Sequence, residues 1–140
     1  MARQVFFDTN VLVYEFDERD PRKQRQAQEL VRTAFNDGSA VVSYQVVQEF
    51  LNVMSSKFAK PLAPKDLTSY LFNKLWPMCE IHASPSLFAT AISIREHTGY
   101  RFYDSLIVAA ALEAGCDVLY SEDLQAGRIF QGLEIRNPFA

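Results

Sequence analysis

Asp8, Glu49, Asp104 and Asp123 are the residues whose types and settings point to chemistry. Asp8 closes the apolar run Val5-Phe6-Phe7, and Asp123 follows Val118-Leu119-Tyr120 through Ser121-Glu122. Asp104 opens an apolar helix expected over Ser105 to Ala114, and Glu49 sits one or two turns into a helix after Ala40-Val41-Val42. Two carboxylates 4 Å apart repel by about 4 kcal/mol at an effective dielectric of about 20. A cluster of three or four must therefore take up protons, spread apart or bind a cation. Hard oxygen ligands without His or Cys select Mg²⁺ or Mn²⁺. Such an ion polarises a phosphate oxygen and lowers the pKa of water, so the chemistry implied is in-line hydrolysis of a phosphodiester. Asn10 and Ser121 are too weak to be strong ligands and are expected to orient carboxylates or water in support.

The elements that would position these acids alternate between strand and helix signals. Val5–Phe7 is short and continuously apolar, as in a strand buried on both faces. Asp20-Pro21 reads as an N-cap with Pro at the first helical position, followed by Ala27, Leu30, Val31, Ala34 and Phe35 at helical spacing and a stop at Asn36-Asp37-Gly38. Val41-Val42 is a second strand, and Val46, Val47, Phe50, Leu51 and Met54 mark the helix after it. Pro64 starts another helix, with Leu67, Leu71 and Leu75 inward, and the residues around Lys57–Pro64 read as a loop. Cys79–His82 is a short strand. Ser84-Pro85 caps a helix that Gly99 ends. Leu106–Ala111 is apolar nearly all round, which predicts a central helix. Val118–Tyr120 and Leu133–Arg136 complete the strands, the last as an edge.

Strands separated by helices imply βαβ units. The expected fold is α/β, a three-layer α/β/α domain over residues 1–140 with a central, mainly parallel sheet of four or five strands. In such sheets ligands bind beyond the carboxyl ends of the strands. Asp8 and Ser121 to Asp123 lie there directly. Asp104 reaches the same edge because its helix runs antiparallel to the Val118 strand that follows it. Glu49 reaches it if its helix leans over the edge. Each acid also has a plainer reading: Asp8 and Asp104 as helix caps, Glu49 as a surface carboxylate, Asp123 as a turn residue.

Composition narrows the field. The chain has 140 residues, 49% of them hydrophobic and 22% charged, enough to bury a core in one domain without staples. Cys79 and Cys116 sit in apolar contexts and read as reduced, buried thiols. With His82 and His97 as the sole histidines and no C-x-x-C, zinc is not expected. No secretory leader or membrane span is legible, so the expected location is the cytoplasm. The net charge of −3 does not advertise a nucleic-acid binder, but an acidic metal site lowers the total while a basic rim persists. Arg19, Arg22, Lys23 and Arg25 form the dense basic stretch. Arg101, three residues before Asp104, is the better-placed candidate for a phosphate contact, with Arg22 and Lys23 behind it. Tyr100, Phe102 and Tyr103 read first as core packing and second as stacking surfaces for bases.

Phe7-Asp8-Thr9-Asn10, Val47-Gln48-Glu49-Phe50, the run Tyr103-Asp104-Ser105-Leu106 and Tyr120-Ser121-Glu122-Asp123 together resemble the motifs of PIN-domain ribonucleases, in order. Among these the chain is most similar to the VapC-like toxins of type II toxin–antitoxin pairs, and its closing Asn137-Pro138-Phe139 suits them. The resemblance implies that Asp8, Glu49, Asp104 and Asp123 bind Mg²⁺ or Mn²⁺ as a catalytic quartet, with Ser121 as a supporting hydroxyl. It implies an endoribonuclease acting on structured RNA such as tRNA, a homodimer, and inhibition by a cognate antitoxin. Two competing readings are a Mg²⁺-dependent phosphatase and a non-catalytic interaction module. An aspartyl-phosphate phosphatase would want a carboxylate two residues after Asp8, where Asn10 stands.

Overall fold

The computed structural model describes residues 3–57 and 60–140; the loop expected around Lys57–Pro64 therefore lies partly outside the described residues. Strand β1 (Val5–Phe7) leads into a short helix α1 (Thr9–Tyr14) and then α2 (Pro21–Asn36). Strand β2 (Ala40–Ser43) is followed by α3 (Tyr44–Asn52), which widens into a π-type turn over Val53–Lys57. Helix α4 (Pro64–Tyr70) widens likewise over Leu71–Leu75 before α5 (Trp76–Met78). Pro77 lies just beyond this second wide turn; it lacks an N–H, so a regular ladder would lose a bond there. Then come β3 (Cys79–Ile81), α6 (Pro85–Thr98), α7 (Phe102–Glu113), β4 (Val118–Tyr120), β5 (Ile129–Phe130) and β6 (Leu133–Arg136).

The strands form one sheet in the order β3-β2-β1-β4-β6-β5, parallel throughout except for the antiparallel β5–β6 pair. Successive strand residues point to opposite faces. Phe6 and Phe7, and Val41 and Val42, are all fully buried, so both faces of the sheet centre are covered by helices. This is the expected α/β fold. Helix α7 is the most enclosed: Ser105 to Ala111 are buried without interruption, between α6 and strands β2 and β4.

Local signals account for most boundaries. Asp20 and Ser84 accept hydrogen bonds from the backbone of Lys23 and Leu87, capping α2 and α6, each with Pro next. Gly99 ends α6 in the left-handed region at φ 77°, where a Cβ is disfavoured.

Three expectations need correction. The sheet has six strands, not four or five, and Leu133–Arg136 is not its edge, because β5 covers it. The added strand comes from a tight hairpin through Gln131 and Gly132, both at positive φ; such two-residue turns match the twist of antiparallel strands. Helix α7 starts at Phe102 rather than Ser105, so Asp104 lies within its first turn instead of ahead of it. Cys79 and Cys116 are free thiols, Cys116 buried and Cys79 half-buried. No helix among the described residues is long and apolar enough to cross a membrane.

Candidate functional site

From β1 the chain builds outward on one side through β2 and β3, then returns to the other side with β4. The carboxyl ends of β1 and β4 therefore flank the point where strand order reverses, where an open parallel sheet leaves a crevice. Asp8 and Ser121 leave the sheet there as neighbours: the Asp8 amide donates to Tyr120 O at 3.0 Å. A cavity of about 560 Å³ opens above them, and Asp8, Glu49, Asp104 and Asp123 all line it. The β1 end supplies Asp8, α3 supplies Glu49, the first turn of α7 supplies Asp104 and the β4 end supplies Asp123. From α3 the Glu49 side chain reaches this edge, where it meets the Thr9 hydroxyl at the start of α1.

Each acid but one is held by named donors. Asp8 is buried and occupies the N-cap of α1: Oδ1 accepts from the Thr9 amide at 2.7 Å and Oδ2 from the Ser121 hydroxyl at 2.7 Å. Ser121, fully buried, also accepts from the amides of Asp123 and Leu124 at 3.2 and 3.3 Å. One hydroxyl thus fixes Asp8 and folds the turn that carries Asp123. Asn10 Nδ2 donates to Asp123 Oδ2 at 2.9 Å, while its Oδ1 accepts from the Glu122 amide at 3.2 Å. Glu49 accepts from the Thr9 hydroxyl at 2.7 Å and from Gln45 Nε2 at 3.3 Å. Asp104 is half-buried, and no hydrogen bond to its side chain is found among the described residues. The helix-capping reading of Asp8 therefore holds alongside its place in the cavity.

Charge at the site is under strain. The Asp8 carboxyl is pushed from 3.8 up to about 6: burial is the largest cause, the Ser121 and Thr9 hydrogen bonds oppose it, and the nearby Glu49 and Asp123 charges add to the rise. Oxygen ligands and surplus negative charge suit a hard divalent cation. Among the described residues no three His, Cys, Asp or Glu side chains stand close enough together to grip an ion directly. That spacing is compatible with Mg²⁺, which keeps several waters and needs one or two direct carboxylates. The donor set therefore fits such an ion.

The candidate substrate cations are placed elsewhere. Arg101 is exposed at the start of α7 and does not line the cavity. Lys23 pairs with Glu122 and lies over the Tyr14 and Phe139 rings at 5.0 and 5.6 Å. Arg22 reaches Gln26 at 3.3 Å and Phe139 O at 3.4 Å. Both are tied to the closing segment rather than turned to the cavity. Arg19, from the same basic stretch, does line it. Tyr103 is 67% exposed, against the core packing expected of it.

Two supports escaped the sequence reading. Gln45 is buried, and its Nε2 donates both to Glu49 and to Tyr103 O at 3.1 Å, bridging α3 to the first turn of α7. Its spacing of four from Glu49 was the available signal. Tyr14, whose hydroxyl donates to Glu122 at 2.7 Å, joins Lys23 in bracing the Asp123 turn; nothing in local sequence marks that pairing.

The PIN domain family matches residues 5–129. Solved structures share the fold. A toxin–antitoxin complex from Klebsiella pneumoniae superposes with a TM-score of 0.69 at 18% identity, covering 96% of this chain and 98% of the other. VapBC2 from Rickettsia felis, bound to a DNA fragment from its promoter, gives 0.61 at 20% identity, with 95% and 97% covered. VapC20 from Mycobacterium tuberculosis, a toxin that cleaves the sarcin–ricin loop, gives 0.61 at 16% identity, with 86% and 90% covered. At these identities the likeness is one of fold. No curated protein matches the chain in sequence.

Proposed function

The chain belongs to the PIN-domain family, a family of nucleases, and from that premise we propose that it is a Mg²⁺- or Mn²⁺-dependent endoribonuclease, the toxin of a toxin–antitoxin pair. The observation that carries the reading is the meeting of Asp8, Glu49, Asp104 and Asp123 around one cavity at the sheet's switch point. These four would hold the metal, one or two of them directly and the others through its bound waters. When bound, the ion supplies a Lewis acid for the phosphate and lowers the pKa of water. Asp8 and Glu49 contribute fixed oxygens, because Ser121, Thr9 and Gln45 hold their carboxylates in place. Asn10 keeps Asp123 turned toward the same cavity. Asp104, without such a partner among the described residues, is the acid best able to move as substrate enters.

The toxin role is supported by the fold shared with toxin–antitoxin complexes. A cognate antitoxin, a homodimer of single-domain chains, a cytoplasmic location and structured RNA such as tRNA as substrate belong to the same proposal. Asn10 donates to Asp123 where a phosphatase of the aspartyl-phosphate type would present a second carboxylate, which favours the nuclease.

The test is cleavage of RNA by the purified protein. It should require Mn²⁺ or Mg²⁺, stop with EDTA, and be lost in Asp104→Asn with the fold retained. Cleavage that persists in EDTA, or full activity in Asp104→Asn, would refute the proposal. Expression should also arrest growth, relieved by a protein encoded next door; an active enzyme without growth effect would point to RNA processing instead.

A further inference from the structure

Six carboxylates line the cavity, Asp8, Asp17, Glu49, Asp104, Glu122 and Asp123; among the described residues one cation, Arg19, lines it with them. A phosphodiester is an anion, and such a wall repels it unless positive groups meet it. Arg19 lies in the loop between α1 and α2. Asp17 Oδ1 accepts from its backbone N–H at 3.1 Å and from its Nε at 2.8 Å, and Oδ2 accepts from its Nη2 at 3.0 Å. The Asp17 side chain is 11% exposed and that of Arg19 is 67% exposed. A buried carboxylate thus grips an exposed guanidinium by backbone and side chain together and sets its direction at the cavity wall. A guanidinium carries donors on more than one edge of its planar fork, so engaging an oxyanion is compatible with the Asp17 grip. Fixing the side chain beforehand also reduces the ordering cost of binding.

We infer that Arg19 receives a non-bridging phosphate oxygen of the nucleic-acid substrate at the mouth of the acidic cavity, and that Asp17 is the positioning residue that aims it. This rests on the nuclease reading above. It singles out Arg19 within the basic stretch because Arg19 lines the cavity and Arg22 and Lys23 do not.

The test uses fluorescently labelled bulk tRNA and the full chain in the Asp104→Asn background, so that nothing is cut, across a salt series. Arg19→Ala should weaken binding by about tenfold and flatten the salt dependence by somewhat under one unit of slope. Arg19→Lys should recover part of the affinity, because a point charge replaces a fork. Arg32→Ala, on the exposed side of α2, should match the parent. Asp17→Asn is the sharpest arm. Removing a negative charge should strengthen RNA binding by simple electrostatics, whereas loss of the grip should weaken it. The inference is overturned if Arg19→Ala binds tRNA with the parent's affinity and slope, or if Asp17→Asn binds more tightly. If the parent itself binds no RNA, the nuclease reading falls and this inference falls with it. The Mn²⁺-induced rise in melting temperature, measured with Asp104 intact, should survive Arg19→Ala, which separates loss of substrate contact from loss of the metal site.

Discussion

Helix α1 has a desolvated carboxylate at each end, Asp8 buried and Glu15 half-buried, and the two differ in a way that separates a site from a core. Asp8 caps its start and Glu15 its finish. Burial raises both, Asp8 to about 6 and Glu15 to about 7. Glu15 sits against an aromatic cluster of Phe16, Phe50 and Tyr70, accepts from the Tyr70 hydroxyl at 2.6 Å, and is drawn back by the Lys74 charge. Among the described residues no second carboxylate contributes to its shift. Asp8 feels two, Glu49 and Asp123, and opens with them onto the cavity. A raised pKa alone therefore marks desolvation. What marks a cation site is a raised pKa in the company of other carboxylates.

The largest expected effect is on catalysis. Asp8→Asn should lower RNA cleavage by about two orders of magnitude or more, with the melting transition retained, whereas Glu15→Gln should leave turnover unchanged; equal losses in both would erase the distinction. Next comes the support around each acid. Ser121→Ala should weaken Mn²⁺ binding by about 10- to 100-fold, read by calorimetry, while Tyr70→Phe lowers the melting temperature and leaves Mn²⁺ affinity alone.

A third contrast is in pH. Glu15 is raised from 4.5 to about 7 on folding, so the folded state holds its proton more tightly than the unfolded one. The associated stability is fully present below the unfolded value and is lost as pH climbs through the folded one, an effect on the order of 1–3 kcal/mol. Glu15→Gln should therefore gain in stability over the parent at pH 8 and much less at pH 4, by denaturant melts. Asp8 follows the same sign between 3.8 and about 6 in the metal-free protein, but Mn²⁺ should cancel that slope and leave the Glu15 slope in place. The smallest effect is at Arg101, outside the cavity: Arg101→Ala should weaken tRNA binding by about two- to threefold with Mn²⁺ affinity unchanged.

The fold was legible where local chemistry is strong. Asp20-Pro21, Ser84-Pro85 and Gly99 each state a helix boundary through a cap or a left-handed residue. Asp104 could be placed on the correct edge because a helix that feeds a parallel strand must run back along it. The β5–β6 hairpin was missed because Gln131 takes a positive φ usually reserved for Gly, Asn or Asp, so the turn carries half its signal. The start of α7 was misread because Arg101 holds the N-cap position without a side-chain hydrogen bond. Asn10 and Ser121 were legible as supports by residue type, but the acid that each one holds was not. Gln45 meets the Tyr103 carbonyl, and Asn10 meets Asp123, across long stretches of chain; such pairs depend on helix packing, which local pattern does not encode.

The central claim is that the four acids at the β1–β4 switch point form one divalent-cation site. Mn²⁺ binding measured by calorimetry on the parent, Asp8→Asn and Glu15→Gln addresses it most directly. The account predicts saturable binding by the parent and by Glu15→Gln with equal affinity, and loss of binding in Asp8→Asn. A parent that binds no Mn²⁺, or an Asp8→Asn variant that binds it as the parent does, would contradict it.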